Sequence, residues 1–291
     1  MTRTLPAATN RHASSPGHGL ATVTWLDTHF EACRPEYEAM LRSVGIDADW
    51  RVLDAGCGSG SYLPLLSDLV GANGSIAALD AAPENIEEIS RRLRNAELPC
   101  PVEPRLGSLT ALPYPDDHFD AVWCANVVQY FPDAAVPSVL REFIRVVRPG
   151  GLVAIKDVDM TLLRIEPADP FLVSHLSEAS LRQQESSSWS AGSLRGRALR
   201  RHLEHAGLSA VWQRSWLIER WAPLQPDERR LWSDWLAFLA TLAEERGVPD
   251  ADLPTWRALR NPGAPDNPLN HPDFYACEGQ SVAVGTKGPP G

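Results

Sequence analysis

Long apolar runs are missing from this sequence: no stretch approaches the roughly 20 consecutive apolar residues that a membrane span needs. The first twenty residues also lack the continuous apolar core of a secretory signal, so the expected location is cytoplasmic. Positive charge is in deficit, with 27 Lys and Arg against 37 Asp and Glu and a formal net charge of −10. A protein that neutralises a phosphate backbone carries a basic face, so neither a nucleic acid nor a membrane is an expected partner. The one basic cluster, Arg195, Arg197, Arg200 and Arg201, reads as a solvated helix face. Cysteines are few: Cys33, Cys57, Cys100, Cys124 and Cys277 form no C-x-x-C and no Cys/His ligand spacing, so reduced thiols and no metal are expected. The 44% of apolar residues in 291 suffices for one large domain carrying a substantial cap.

What is present is most concentrated at Arg51-Val52-Leu53-Asp54-Ala55-Gly56-Cys57-Gly58-Ser59-Gly60. A short apolar strand breaks into three glycines at alternate positions, and Ser61 to Val70 then reads as a helix. Residues without Cβ at such a junction let a ligand approach the backbone closely. The dinucleotide fingerprint wants glycine three residues after the second one, where Ser61 stands, so NAD and FAD are disfavoured. Ser75 to Asp80 reads as a second strand ending in a carboxylate, placed as a ribose-diol acceptor is in a doubly wound sheet.

The run Val52 to Gly60 resembles the glycine motif of class I S-adenosylmethionine (SAM) dependent methyltransferases. Three further segments continue the resemblance in order: Asp80 at its strand end, Gly107-Ser108-Leu109 leading to Leu112-Pro113-Tyr114-Pro115-Asp116-Asp117-His118-Phe119-Asp120-Ala121-Val122, and Leu140 to Gly151. The likeness covers residues 50 to 157 and points to the small-molecule branch typified by ubiquinone and menaquinone methyltransferases. It implies an α/β fold with a doubly wound, mostly parallel seven-stranded sheet of Rossmann-like type. It also implies SAM as cofactor, S-adenosylhomocysteine as product, and a small-molecule acceptor as partner. The cofactor contacts that follow are Asp54, Gly56, Gly58, Gly60, Asp80, Ala81, Ser108, Leu109 and Asn126. Ser108 stands where the family usually has an Asp for the adenine amine, which leaves either a weaker contact or a substitute in Asp116 or Asp117. The family's Asn/Asp-Pro-Pro-aromatic tetrapeptide is absent after the fourth strand, where Cys124-Ala125-Asn126-Val127-Val128-Gln129-Tyr130 stands. That argues against DNA, RNA-base and protein-glutamine acceptors.

Along the chain, residues 1–20 read as a flexible tail and 21–46 as an N-terminal helical lid. Residues 47–160 read as the SAM-binding core, and 161–291 as the rest of the sheet with a helical cap insertion. Helices are expected from Thr24 to Cys33 and from Pro35 to Gly45, the latter with Tyr37, Met40, Leu41 and Val44 on its apolar side. Seven of the ten tryptophans lie beyond Ser188. Gly192 to Ala206 reads as a helix, Leu208 to Leu217 and Gln280 to Gly285 as strands, and Pro226 to Ala243 as a cap helix apolar on more than one face. Such a face is spent on the sheet and on either a substrate cavity or a second subunit, so a homo-oligomer through lid or cap stays open. The resemblance, in which N-terminal helices close over the site, implies Trp25, His29 and Phe30 as acceptor-contact candidates, and Gln129 and Tyr130 join them beyond the end of the fourth strand. For a general base the sequence offers His29, His175, His271, Asp157 and Asp159, with His29 and Asp157 foremost. The expected chemistry is in-line methyl transfer to a bulky aromatic or apolar metabolite. The alternatives are a SAM-binding enzyme turned to a non-methylating reaction such as cyclisation, and an NAD-dependent oxidoreductase.

Overall fold

The computed structural model describes Ser15, residues 20–182 and residues 192–289. Most of the expected tail, together with Trp189, lies outside the described residues.

Five parallel strands form one side of the sheet: β1 (Arg51–Ala55), β2 (Ser75–Asp80), β3 (Val102–Leu106), β4 (Phe119–Ala125) and the first half of β5 (Val147–Glu166). β6 (Ser209–Trp221) and β7 (Tyr275–Thr286) complete it in the order β3-β2-β1-β4-β5-β7-β6, with β7 antiparallel to both neighbours. This is the seven-stranded, mostly parallel sheet expected above. The central strands are buried on both faces because helices cover each one: Val52, Leu53, Ala121, Val122, Trp123 and Ala154 have no exposed surface. The helices are α1 (Val23–Ala32), α2 (Arg34–Arg42), α3 (Leu63–Val70), α4 (Pro83–Leu93), α5 (Val136–Val146), α6 (Leu172–Arg182), α7 (Leu199–His205), α8 (Pro226–Arg246) and α9 (Leu253–Arg260).

Three strands and one helix differ from expectation. The strands β5, β6 and β7 are longer than their sequence patterns suggest. β4 stops pairing at Ala125 opposite Lys156, yet β5 runs on through an irregularity after Asp159 and pairs Arg164 with Cys277 and Glu166 with Tyr275. β6 follows to Trp221, so each extension supplies the backbone partner that the others need. The helix expected over 192–206 is reduced to a 3₁₀ turn at Gly196–Ala198 and the seven-residue α7. Gly196 passes so close to β5 that a Cβ there would sit 2.5 Å from the Val158 carbonyl oxygen, so this turn runs tight against the strand.

The cap helix α8 is the longest. Gln225 and Glu228 form a reciprocal capping box at its start, and Gly247 ends it in the left-handed region at φ 69°. Its wide apolar surface is spent within the chain, on α1, α6 and α9. Among the described residues no helix is long and apolar enough to cross a membrane.

Candidate cofactor and acceptor site

A cavity of about 310 Å³ opens at the carboxyl ends of β1, β2 and β4, where a doubly wound sheet places its ligands. Its wall gathers Trp25, His29, Phe30, Asp54, Gly56, Gly58, Asp80, Ala81, Ser108, Leu109, Asn126, Gln129 and Tyr130. These are all of the sequence-derived contacts except Gly60 and Asp157. Gly60 packs toward Leu63 and Ile89, where it permits close loop-to-helix contact.

The glycine loop is locked onto β2. Gly56 and Cys57 donate their backbone N–H groups to the Leu79 carbonyl at 2.7 and 3.0 Å, and Gly58 donates to Asp80 Oδ2 at 2.8 Å. The other Asp80 oxygen accepts from Ala82 N–H at 2.8 Å and Asn85 Nδ2 at 3.1 Å. Asp80 therefore spends about three of its four acceptor positions on the protein and keeps about one for a ligand. Asp54 is the opposite case: it is 1% exposed, and its Oδ2 has no partner among the described residues. Burial, aided by the nearby charge of Asp80, pushes its pKa up to about 8. A buried carboxyl with an open oxygen, near a carboxylate that keeps about one acceptor position, suits a ligand that brings both an ammonium and a diol hydroxyl. SAM has both groups, so the residues present fit it.

At the far side, Ser108 is exposed, exchanges a hydrogen bond with Thr110 Oγ1 at 2.9 Å, and lines the cavity together with Leu109. Asp116 is engaged by Arg145 at 2.9 Å and Asp117 by Lys287 at 2.6 Å. Neither lines the cavity, so neither stands in for the missing Asp.

Asn126 turns out of β4 with φ 58°, its N–H donating to the Lys156 carbonyl at 2.6 Å. Asp157 lies behind this turn, off the cavity, facing the backbone N–H groups of Val127 and Gln129. Burial pushes its pKa up to about 7 against the pull of Lys156 and Arg195. It holds the loop instead of facing a ligand. Arg195 differs from the solvated reading of its cluster: its side chain is 11% exposed, donates to the carbonyls of Val128 and Phe131 at 2.9 and 2.6 Å, and pairs with Asp133. Free carbonyls on an irregular loop drew the guanidinium inward.

Of the candidate bases, only His29 reaches the cavity. His175 is bonded to Asp252 at 2.8 Å, His271 lies beside Asp273, and Asp159 accepts from Thr161 Oγ1 at 2.6 Å. His29 stands among Trp25 and Trp235, with ring centroids 5.5 and 6.1 Å away. Trp232 stacks on Trp235 from behind and does not line the cavity.

Beneath His29 lies a buried polar cluster that the sequence reading did not single out: Tyr37 from α2, Lys156 from β5, and Glu278 and Gln280 from β7. Lys156, one of two lysines in the chain, has no exposed surface. It donates to Asn126 Oδ1 at 3.0 Å and sits 3.6 Å over the Tyr37 ring. Burial lowers its pKa to about 7, opposed by the charge of Glu278. Burial raises the Glu278 carboxyl, but His29, Lys156 and Gln280 outweigh it and hold the group below the usual range. His29 Nε2, Cys33 Sγ and Glu278 Oε1 lie within 4.8 Å of one another, a spacing open to a metal ion; in this structure hydrogen bonds and the Lys156 ammonium hold the carboxylate.

Known proteins resemble parts of this chain. Residues 52–151 match the family described as "Methyltransferase domain". A 2-phytyl-1,4-naphtoquinone methyltransferase of Synechococcus elongatus is 36% identical over 108 residues, 37% of this chain and 46% of the relative. A demethylmenaquinone methyltransferase of Lactobacillus johnsonii is 28% identical over 164 residues, 50% of this chain and 64% of the relative. The chain thus spans less than two thirds of the length of these relatives. The YcgJ protein of Bacillus subtilis superposes with a TM-score of 0.52 at 21% identity, covering 88% of this chain and 100% of that one, which is a likeness of fold.

Proposed function

We propose that this chain, a class I methyltransferase by the family of residues 52–151 and by the order of its strands, methylates a small aromatic or apolar metabolite at the expense of SAM. One observation carries the reading: a single cavity joins the open carboxyl of Asp54 and the glycine loop to a chamber walled by Trp25, Phe30, Tyr62 and Trp235. SAM, when bound, supplies an electrophilic methyl group on a sulfonium. The rest of the work is positional, and orientation in a dry pocket can contribute about 7–11 kcal/mol in favourable systems. Gly56 and Gly58 let the loop approach the cofactor, and Asp54 and Asp80 meet its ammonium and diol. The α1 and α8 aromatics exclude water and hold the acceptor. The names of the relatives, which act on quinone-type compounds, favour an acceptor of similar size and apolarity.

Calorimetric titration with SAM and with NAD, followed by detection of S-adenosylhomocysteine during turnover, tests the assignment. Binding of SAM in the micromolar range and no appreciable binding of NAD are expected; NAD binding more tightly would sink it. Within the site, Asp80→Ala should weaken SAM by about tenfold or more, with Asp80→Asn falling between, because a charged hydrogen bond is worth about 1.5–3 kcal/mol. Ser108→Ala should cost less, since its hydroxyl is neutral and exposed. The reverse ordering in the same titration would show the adenine end to be the anchor.

A further inference from the structure

The partners around His29 distinguish its two ring nitrogens: Nε2 faces buried polar groups and Nδ1 does not. Glu278, fully buried and held ionised by its neighbours, can only accept. Its Oε1 faces His29 Nε2 at 3.4 Å, Tyr37 Oη at 3.4 Å and Gln280 Nε2 at 3.2 Å. Tyr37 Oη also receives a bond from Gln280 Nε2 at 3.2 Å, and its own proton has two acceptors in reach, the carboxylate at 3.4 Å and His29 Nε2 at 2.8 Å. A lone pair on His29 Nε2 would face the Glu278 carboxylate at 3.4 Å, so the geometry favours Nε2 as the protonated nitrogen, with Tyr37 Oη at 2.8 Å as a further partner. Nδ1 has no partner among the described residues and keeps its lone pair on a ring that lines the cavity.

We propose that His29 Nδ1 is the general base of this site, that Tyr37 and Glu278 are its positioning residues, and that the acceptor is a hydroxyaryl compound, a phenol or hydroquinone. This rests on the methyltransferase reading above. The acceptor class follows from charge and shape. Trp25, Phe30 and Trp235 form an aromatic wall around the imidazole, which suits a flat ring. Lys156, donating to the cavity residue Asn126 at 3.0 Å, backs the site with a hydrogen-bond donor and favours an acceptor oxygen that becomes negative. In the step, the acceptor O–H proton moves to His29 Nδ1 and the oxygen lone pair forms the O–CH₃ bond. The S–CH₃ bond breaks with its electrons remaining on sulfur, and the imidazolium, steadied by Glu278, later returns the proton to solvent.

The test needs no natural acceptor. The full chain, labelled with ¹⁵N at histidine, is titrated with 1-naphthol and with 1-methoxynaphthalene, an analogue lacking the hydroxyl, in the presence and absence of S-adenosylhomocysteine. His29 is expected as the Nε2–H tautomer in the free protein, and naphthol alone should move its Nδ1 resonance. Naphthol should bind about tenfold more tightly than the ether, a gap that His29→Gln reduces to under about threefold. Glu278→Gln should shift the tautomer toward Nδ1–H, an effect that a purely packing role would not produce. An Nδ1–H tautomer in the wild-type protein, or equal binding of the two probes, overturns the proposal, and neither measurement requires a variant to fold. Failure of S-adenosylhomocysteine to bind would refute the cofactor reading instead, while the naphthol titration without it still decides this one.

Discussion

Raising the pH from about 4.5 to about 7 is expected to lower the melting temperature of the free protein by roughly 10–20 °C, and Asp54→Asn is expected to remove about half of that fall. Asp54 keeps its proton in the folded chain up to a pKa of about 8, because burial and the neighbouring Asp80 disfavour its charge. In the unfolded chain it ionises near 4. Between these values the folded state binds the extra proton, so the stability that this group contributes is present below about pH 4 and drains away as pH rises. Asp157, raised to about 7, acts with the same sign. Lys156, lowered to about 7, acts oppositely but only above that pH, which sets the upper limit of the window. Glu88 and Glu142, held below the usual range by hydrogen bonds from arginines, have finished ionising before its lower limit. His118 and His202, lowered by burial, oppose the trend weakly near pH 6 and are untouched by the substitution. Each pKa unit is worth about 1.4 kcal/mol and each kcal/mol about 2–4 °C in a chain of this size. Thermal melts of the two proteins across this range check the expectation; parallel curves would mean that Asp54 is already charged in the free protein.

Gly58→Val should abolish measurable SAM binding, a loss of about 100-fold or more, while leaving a folded protein. Gly58 has φ 54°, a conformation that costs a β-branched residue about 1–2 kcal/mol. Its N–H reaches Asp80, and a Cβ would come within 2.8 Å of Leu26 Cδ1 on α1. Strain, the displaced carboxylate and the pushed helix all fall on the same ligand. Because the clash is with the end of a flexible side chain, Leu26→Ala in the same molecule should relieve that part and leave the backbone part. Partial recovery by calorimetry is therefore the expected signature; full recovery would make the glycine a matter of space alone.

The parts of the molecule legible in the sequence are those where neighbours in the chain are also neighbours in space. The strand, glycine loop and helix from Arg51 to Val70, and Asp80 at its strand end, are local patterns, and the structure draws them around one cavity. Trp25, His29 and Phe30 joined them through a family likeness, not through spacing. The cluster beneath His29 was hidden because Tyr37 reads as one more apolar position of a helix, and Lys156 and Glu278 stand in strands more than a hundred residues apart. A local signal did exist: each puts a charge into a run of otherwise buried strand positions, between Val153 and Val158 and between Ala276 and Val284. A buried charge needs a partner, and the partner's distance in sequence is what the pattern withholds. The run of tryptophans beyond Ser188 is no guide to the cavity either, since among the described residues only Trp25 and Trp235 of this residue type line it.

The strand order β5-β7-β6 has a bearing on how the chain is made. β7 lies between two strands that are synthesised before it, so β6 leaves the ribosome with its only neighbour in the sheet still unmade. β5 likewise waits with one edge bare along residues that later pair from Leu152 to Glu166. Since β7 also brings Glu278 and Gln280, a nascent chain holds its glycine loop and Asp80 long before His29 acquires its carboxylate partner. Until that last insertion the open edge of β5 is a surface on which another chain's strand could add, and it is during translation that this fold is most exposed to aggregation.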